Sequence, residues 1–228
     1  MLLPVVGTFQ PSELAKVGIA MVCAQLFEAM TNNKLNWWQG GLLILAVFLP
    51  PVALIMLQPD FGTTMVILFM FVCMVFVWGI KWRYVLLGIS GAVIAIPLAW
   101  FFYLGDFQKN RIITFLFPGH DPDASFNLIQ AQMAIASGGL FGSRSENSVH
   151  VPVKESDFIY TAVSEHMGFI GTTALLFLAF FFLARSLYVA SRLREENPAA
   201  AFTMVGLTSA LAIHYIENLG MTVGLLPI

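Results

Sequence analysis

Asp157 stands where a polar run, Pro152-Val153-Lys154-Glu155-Ser156-Asp157, passes into the apolar Phe158-Ile159-Tyr160. A carboxylate at such a boundary is tuned by two opposed influences, partial desolvation and the positive end of a helix. Tuned in this way it can serve as a general base. The same position also suits simple helix capping by Ser156 or Asp157. Glu165 and His166 follow two turns further on, and positions 157, 161, 164, 165 and 168 fall on one helical face. That face reads equally as a cavity lining or as polar helix packing.

Other ionisable residues interrupt apolar sequence. Glu13 and Lys16 are spaced i,i+3 and can pair on one helix face, as a brace or as part of a site. Asp60 follows Gln58-Pro59 at the start of an apolar run, where capping is the expected role. Glu28 lies near a span boundary and is expected to be solvated. His214, Glu217 and Asn218 form one polar stripe, expected to hydrogen-bond to a neighbouring helix. His120, Asp121 and Asp123 sit among prolines and read as turn formers rather than metal ligands. Cys23 and Cys73 lie in apolar runs as small core residues, with no CxxC or Cys/His pattern. GxSxG, Walker, HExxH and GxGxxG motifs are absent.

The elements that must position these residues follow from composition. Hydrophobic residues make up 58% of the 228, and charged residues 11%. Soluble domains carry about 25% charged residues, so a water-soluble globule is excluded, as is a disordered chain. A net charge of −2 argues against nucleic-acid binding. The expected fold class is all-α, a polytopic transmembrane helix bundle of about six spans with a large extracytoplasmic loop. The spans are expected at 13–31, 40–57, 61–79, 84–104, 159–184 and 199–219, in a single membrane domain over 1–228. No signal peptide is visible, so the first apolar segment is expected to insert as a span unless sequence precedes it. Loops 32–39, 80–83 and 185–197 hold six cations in 25 residues, whereas loop 105–158 holds four in 54. The dense loops are therefore expected on the cytoplasmic side. Within the long loop, Phe126, Ile129, Met133 and Ala136 recur at helical spacing, which predicts an interfacial amphipathic helix over 126–137 ended by Gly138-Gly139-Leu140-Phe141-Gly142.

Several motifs, in order, resemble the SEDS family of peptidoglycan glycosyltransferases (RodA, FtsW, SpoVE), and RodA more than FtsW. Gln10-Pro11-Ser12-Glu13 with Lys16 resembles the family's QPSE-x-x-K segment, and Gln58-Pro59-Asp60-Phe61-Gly62-Thr63 its QPDxGT turn. Arg111-Ile112, Phe115-Leu116, Pro118 and Asp121-Pro122 resemble the opening of its outer loop. Asn127, Gln130 and Ser137-Gly138-Gly139-Leu140-Phe141-Gly142 resemble the loop helix and its glycine turn. Pro152–Ile159 resembles the segment with the catalytic aspartate, and Asn218-Leu219-Gly220-Met221-Thr222 with Gly224–Pro227 the start of the last signature. The chain departs from the pattern at Glu165-His166, where the family has two glutamates, and at Gly142-Ser143-Arg144, where it has Gly-Lys-Gly. The family bundle has about ten spans, so the resemblance implies a domain truncated at both ends.

The resemblance implies transfer of a glycan from its polyprenyl-diphosphate carrier to the 4-hydroxyl of lipid II, with Asp157 as general base. Arg111, Gln130, Arg144 and Lys154 would bind substrate, the cations neutralising diphosphate. Glu13, Lys16, Asp60, Glu165 and Asn218 would brace the cavity. No resident cofactor is implied. A divalent cation (Mg2+ or Mn2+) is the one assisting group considered, and no ligand set for it is visible. The implied partner is a class B penicillin-binding protein, and the implied location the bacterial cytoplasmic membrane. Two other readings stand beside this one. A lipid II flippase would use Glu13, Lys16, Asp60 and Glu217 to line a groove, and an inactive scaffold would bind a partner only.

Overall fold

A computed structural model describes residues 2–3, 7–8, 10–58, 60–102, 105–117, 122–143 and 158–226. Asp157, Arg144, Lys154, His120 and Asp121 lie outside the described residues, and of Arg111 and Asp123 the backbone alone is described. Two two-residue strands, β1 (Leu2–Leu3) and β2 (Gly7–Thr8), pair antiparallel ahead of the helices. Eight helices follow among the described residues: α1 (Pro11–Thr31), α2 (Trp37–Leu57), α3 (Phe61–Trp78), α4 (Trp82–Phe102), α5 (Asp106–Leu116), α6 (Pro122–Ser137), α7 (Ile159–Glu196) and α8 (Pro198–Val223). Five of them, α1, α2, α4, α7 and α8, are long and apolar enough to cross a membrane, and Gly62–Trp78 is a shorter apolar helix. The protein is a multi-pass helical membrane protein.

Among its described residues the long loop contains two helices rather than the one expected. α5 carries Asp106, Lys109 and Arg111 among its apolar residues, so hydropathy alone does not mark it. α6 starts earlier than the apolar periodicity indicates. Its bulky residues Phe126, Ile129 and Met133 point outward, while Ala131 and Ala134 are buried against Phe158. An exposed apolar face on a helix of this kind suits a membrane interface.

The chain forms two compact units, one from Met1–Ile80 with Phe182–His214 and one from Lys81–Phe181 with Tyr215–Ile228. In the first, small residues let helices approach closely: Ala20, Cys23 and Ala24 of α1 are fully buried. A Cβ on Gly206 of α8 would lie 2.7 Å from Met74 Sδ and 3.3 Å from Ala20 Cβ. Phe27 anchors this core, its ring 5.4 Å from Trp78 and 5.8 Å from Phe202. The two cysteines are free, Cys23 buried and Cys73 half-buried.

Candidate functional site

In the first unit one polar group joins α1 to α8 and a second caps α3. Lys16 is 4% exposed. Its Nζ donates to Glu13 Oε1 at 2.8 Å and lies 2.7 Å from Nε2 of His214 on α8. A buried ammonium is tolerable only when its protons find acceptors, and these two contacts take up two of its three. With Lys16 as donor, His214 Nε2 is the acceptor, which places the ring proton on Nδ1. The i,i+3 pairing was legible in the sequence; the third member was not, being 198 residues away.

Asp60 is the N-cap of α3. Its Oδ1 accepts from the Thr63 backbone N–H at 3.0 Å, and its Oδ2 accepts from Thr63 Oγ1 at 2.8 Å. Gln10 Nε2 approaches the same Oδ2 at 3.4 Å. Asp60 thus satisfies a helix end, the capping role expected of it. Glu28 is half-buried rather than fully solvated.

In the second unit the informative feature is a break in α7. Gly168 has φ 65° and ψ −170° inside the helix. An interrupted helix leaves N–H and C=O groups without i→i−4 partners, and in a membrane those groups must be satisfied by protein. The glycine turn after α6 satisfies them. Phe169 N–H donates to Gly139 C=O at 2.8 Å, and Ile170 N–H to Leu140 C=O at 3.2 Å. Ser143 N–H donates to Glu165 C=O at 2.7 Å. Thr172 Oγ1 closes the Gly168 carbonyl at 2.7 Å. The backbones approach so closely that a Cβ on Gly138, Gly142 or Gly168 would overlap the facing main chain. The break lies about 14 Å along the helix from its start at Ile159.

This clasp orients the first half of α7. Thr161, Ser164 and Glu165 are buried at 0%, 4% and 2% exposure, and Gly168 is buried with them, whereas His166 is exposed. The face shared by 161, 164, 165 and 168 is therefore turned into the protein. Among the described residues the buried Thr161 hydroxyl has no hydrogen-bond partner. At the helix start, Asn218 Oδ1 of α8 accepts the Tyr160 N–H at 3.3 Å. Gln130 is half-buried on α6, and the neighbouring Gln132 donates to the Val223 carbonyl at 3.4 Å. Among the described residues no three His, Cys, Asp or Glu side chains are grouped to hold a metal ion.

Sequence reasoning missed the clasp, although its three glycines were visible. Gly138 and Gly142 in a loop and Gly168 inside a long apolar run are the signal of two backbones meeting.

These features define a multi-pass helical membrane protein in which the span α7 is interrupted, its loose backbone ends closed by a loop. A family model described as a cell cycle protein, FtsW/RodA/SpoVE, matches residues 3–228. The chain belongs to that family, the SEDS family. It is 30% identical over 228 residues to peptidoglycan glycosyltransferase MrdB of Escherichia coli K12, covering 96% of this chain and 60% of the relative. It is 32% identical over 234 residues to stage V sporulation protein E of Bacillus subtilis 168, covering 98% and 62%. A structure described as the coordination of polymerization and crosslinking by a peptidoglycan synthase complex superposes with TM-score 0.79 at 30% identity, covering all of this chain and 63% of that one. A mutant of the Thermus thermophilus rod shape determining protein RodA superposes with TM-score 0.60 at 28% identity, covering 96% and 56%. The chain spans about 60% of the length of these curated relatives.

Proposed function

We propose that this protein polymerises peptidoglycan glycan strands from lipid II in the bacterial cytoplasmic membrane, in cell elongation rather than division. The observation that carries this is the match over residues 3–228 to a family with relatives named peptidoglycan glycosyltransferase. In this reading Asp157 takes the proton from the 4-hydroxyl of lipid II. The hydroxyl oxygen bonds to the anomeric carbon of the growing strand, and the polyprenyl diphosphate leaves with the electron pair. Arg111, Arg144 and Lys154 offset the charge of the diphosphate, and Gln130 contributes to substrate binding. Glu13, Lys16, Asp60, Glu165 and Asn218 brace the helices. No step is assigned to a metal ion.

Two features of the fold support the reading. α7 begins two residues after Asp157, and its first half is held by Asn218 and by the glycine turn. The proposed partner is a class B penicillin-binding protein, which would supply crosslinking. Support for it comes from the neighbour described as coordinating polymerization and crosslinking.

The test is conversion of labelled lipid II to polymer by membranes containing the protein, compared with Asp157→Ala. Loss of polymer at an unchanged protein level is the expected result. Polymer persisting in the variant removes Asp157 from the mechanism. Labelled lipid II crossing vesicles without any polymer would replace polymerisation with transport.

A further inference from the structure

Tyr188 of α7 lies between two arginines. Arg185 and Arg192 each place the guanidinium carbon 5.3 Å from the Tyr188 ring centroid. Arg192 also donates to the Tyr188 hydroxyl, from Nε at 3.2 Å and from Nη2 at 3.0 Å. The three residues, spaced i, i+3 and i+7, form one exposed stripe. Arg192 bonds this hydroxyl rather than Glu195 or Glu196, which lie one turn further on.

The stripe follows a long uncharged run. From the break at Gly168, residues 169–184 carry no charge, a run of about 24 Å of helix. Arg185 is the first charged residue after it, the pattern by which a span leaves the hydrocarbon. Arg192 is about 10 Å further along, and its side chain turns back to the same ring. Two cations are therefore held against one ring just past the end of the uncharged run. Arginine stems that snorkel from a helix end ordinarily keep their rotamer freedom. Here the ring and its hydroxyl hold both guanidiniums, and Arg192 uses two of its five N–H donors on tyrosine, leaving three.

We propose that Arg185, Tyr188 and Arg192 form a clamp for the phosphate of an anionic phospholipid headgroup. The planar guanidiniums offer paired N–H donors to phosphate oxygens, and tyrosine fixes their spacing. The clamp differs from a diffuse basic end of a helix, because it depends on an uncharged residue.

The test is native mass spectrometry of the full chain released from nanodiscs of phosphatidylcholine doped with phosphatidylglycerol. Wild type is expected to retain phosphatidylglycerol over phosphatidylcholine. Arg185→Gln with Arg192→Gln should lose that preference, by about fivefold in retained lipid for each guanidinium removed. Tyr188→Leu, which keeps every charge, should also reduce retention, and circular dichroism controls for folding. Wild-type retention by Tyr188→Leu would reduce the stripe to net charge and overturn the clamp. Wild-type retention by the double variant would place the lipid elsewhere. Displacement of the lipid by millimolar inorganic phosphate would make this a site for free phosphate and overturn the lipid assignment.

Discussion

Lys16 Nζ and His214 Nε2 lie 2.7 Å apart, joining helix α1 to helix α8. The contact is the second of two that hold a buried ammonium, Glu13 being the first. Glu13 is 56% exposed at its side chain, so solvent screens its share. His214 is the acceptor from the second helix. His214→Leu is expected to lower stability by about 1 kcal/mol, in the range of polar contacts between membrane helices. His214→Gln, which keeps an acceptor, should fall between that variant and wild type. Thermal unfolding in detergent reads both. Equal losses for Leu and Gln would show that the hydrogen bond contributes nothing.

The glycine turn makes a sharper prediction, because strain and space can be separated within it. Gly139 and Gly142 both have positive φ, 52° and 95°. A Cβ at Gly139 meets nothing within 4 Å, whereas one at Gly142 overlaps the His166 carbonyl. Asparagine tolerates the left-handed region. Gly139→Asn should therefore cost about 1 kcal/mol or less. Gly142→Asn should cost several times more and open the clasp on α7. Amide hydrogen exchange at Phe169 and Ile170 distinguishes the two. Fast exchange in both variants would mean that backbone strain, not the facing carbonyl, governs the turn.

Much of this architecture was legible because its causes are local. Apolar runs of about 20 residues mark spans, and helices α1 to α4, α7 and α8 overlie them. Asp60 before Phe61 and Gly62 is a capping pattern, and Glu13 with Lys16 is a helical pair. What escaped was non-local or conformational. Nothing near His214 says that its partner is Lys16. Nothing in the hydropathy of residues 159–184 reveals a positive φ at Gly168, because the run contains no proline and its polar residues Glu165 and His166 read equally as a cavity lining or as helix packing. α5 stayed hidden because its charges mask its helicity.

Asp60 offers a test of capping against chemistry. Its two oxygens serve Thr63, and Gln10 adds a long contact. Asp60→Ala should cost about 1 kcal/mol by loss of the cap. Asp60→Asn keeps an acceptor for the Thr63 N–H and should retain most of that stability. Polymer formation by Asp60→Asn in membranes should follow its protein level. A stable Asp60→Asn protein that makes no polymer would give Asp60 a role beyond the cap.

Asn218 controls the start of α7 from another helix. Its Oδ1 accepts the Tyr160 N–H at 3.3 Å, one of the donors that a helix start leaves open. Tyr160 is three residues after Asp157, so loosening this bond loosens the segment that places the proposed base. Small displacements of a catalytic group cost about a hundredfold in rate. Asn218→Ala is therefore expected to slow polymerisation by tenfold or more with little change in lipid II binding, a loss in kcat rather than KM. Asn218→Asp keeps an oxygen at the same atom, and its negative charge suits a helix N-terminus. It should restore much of the rate and slow hydrogen exchange at Tyr160. Equal activity in the alanine variant and wild type would mean that the first turn of α7 is held without Asn218, leaving the glycine clasp to position it.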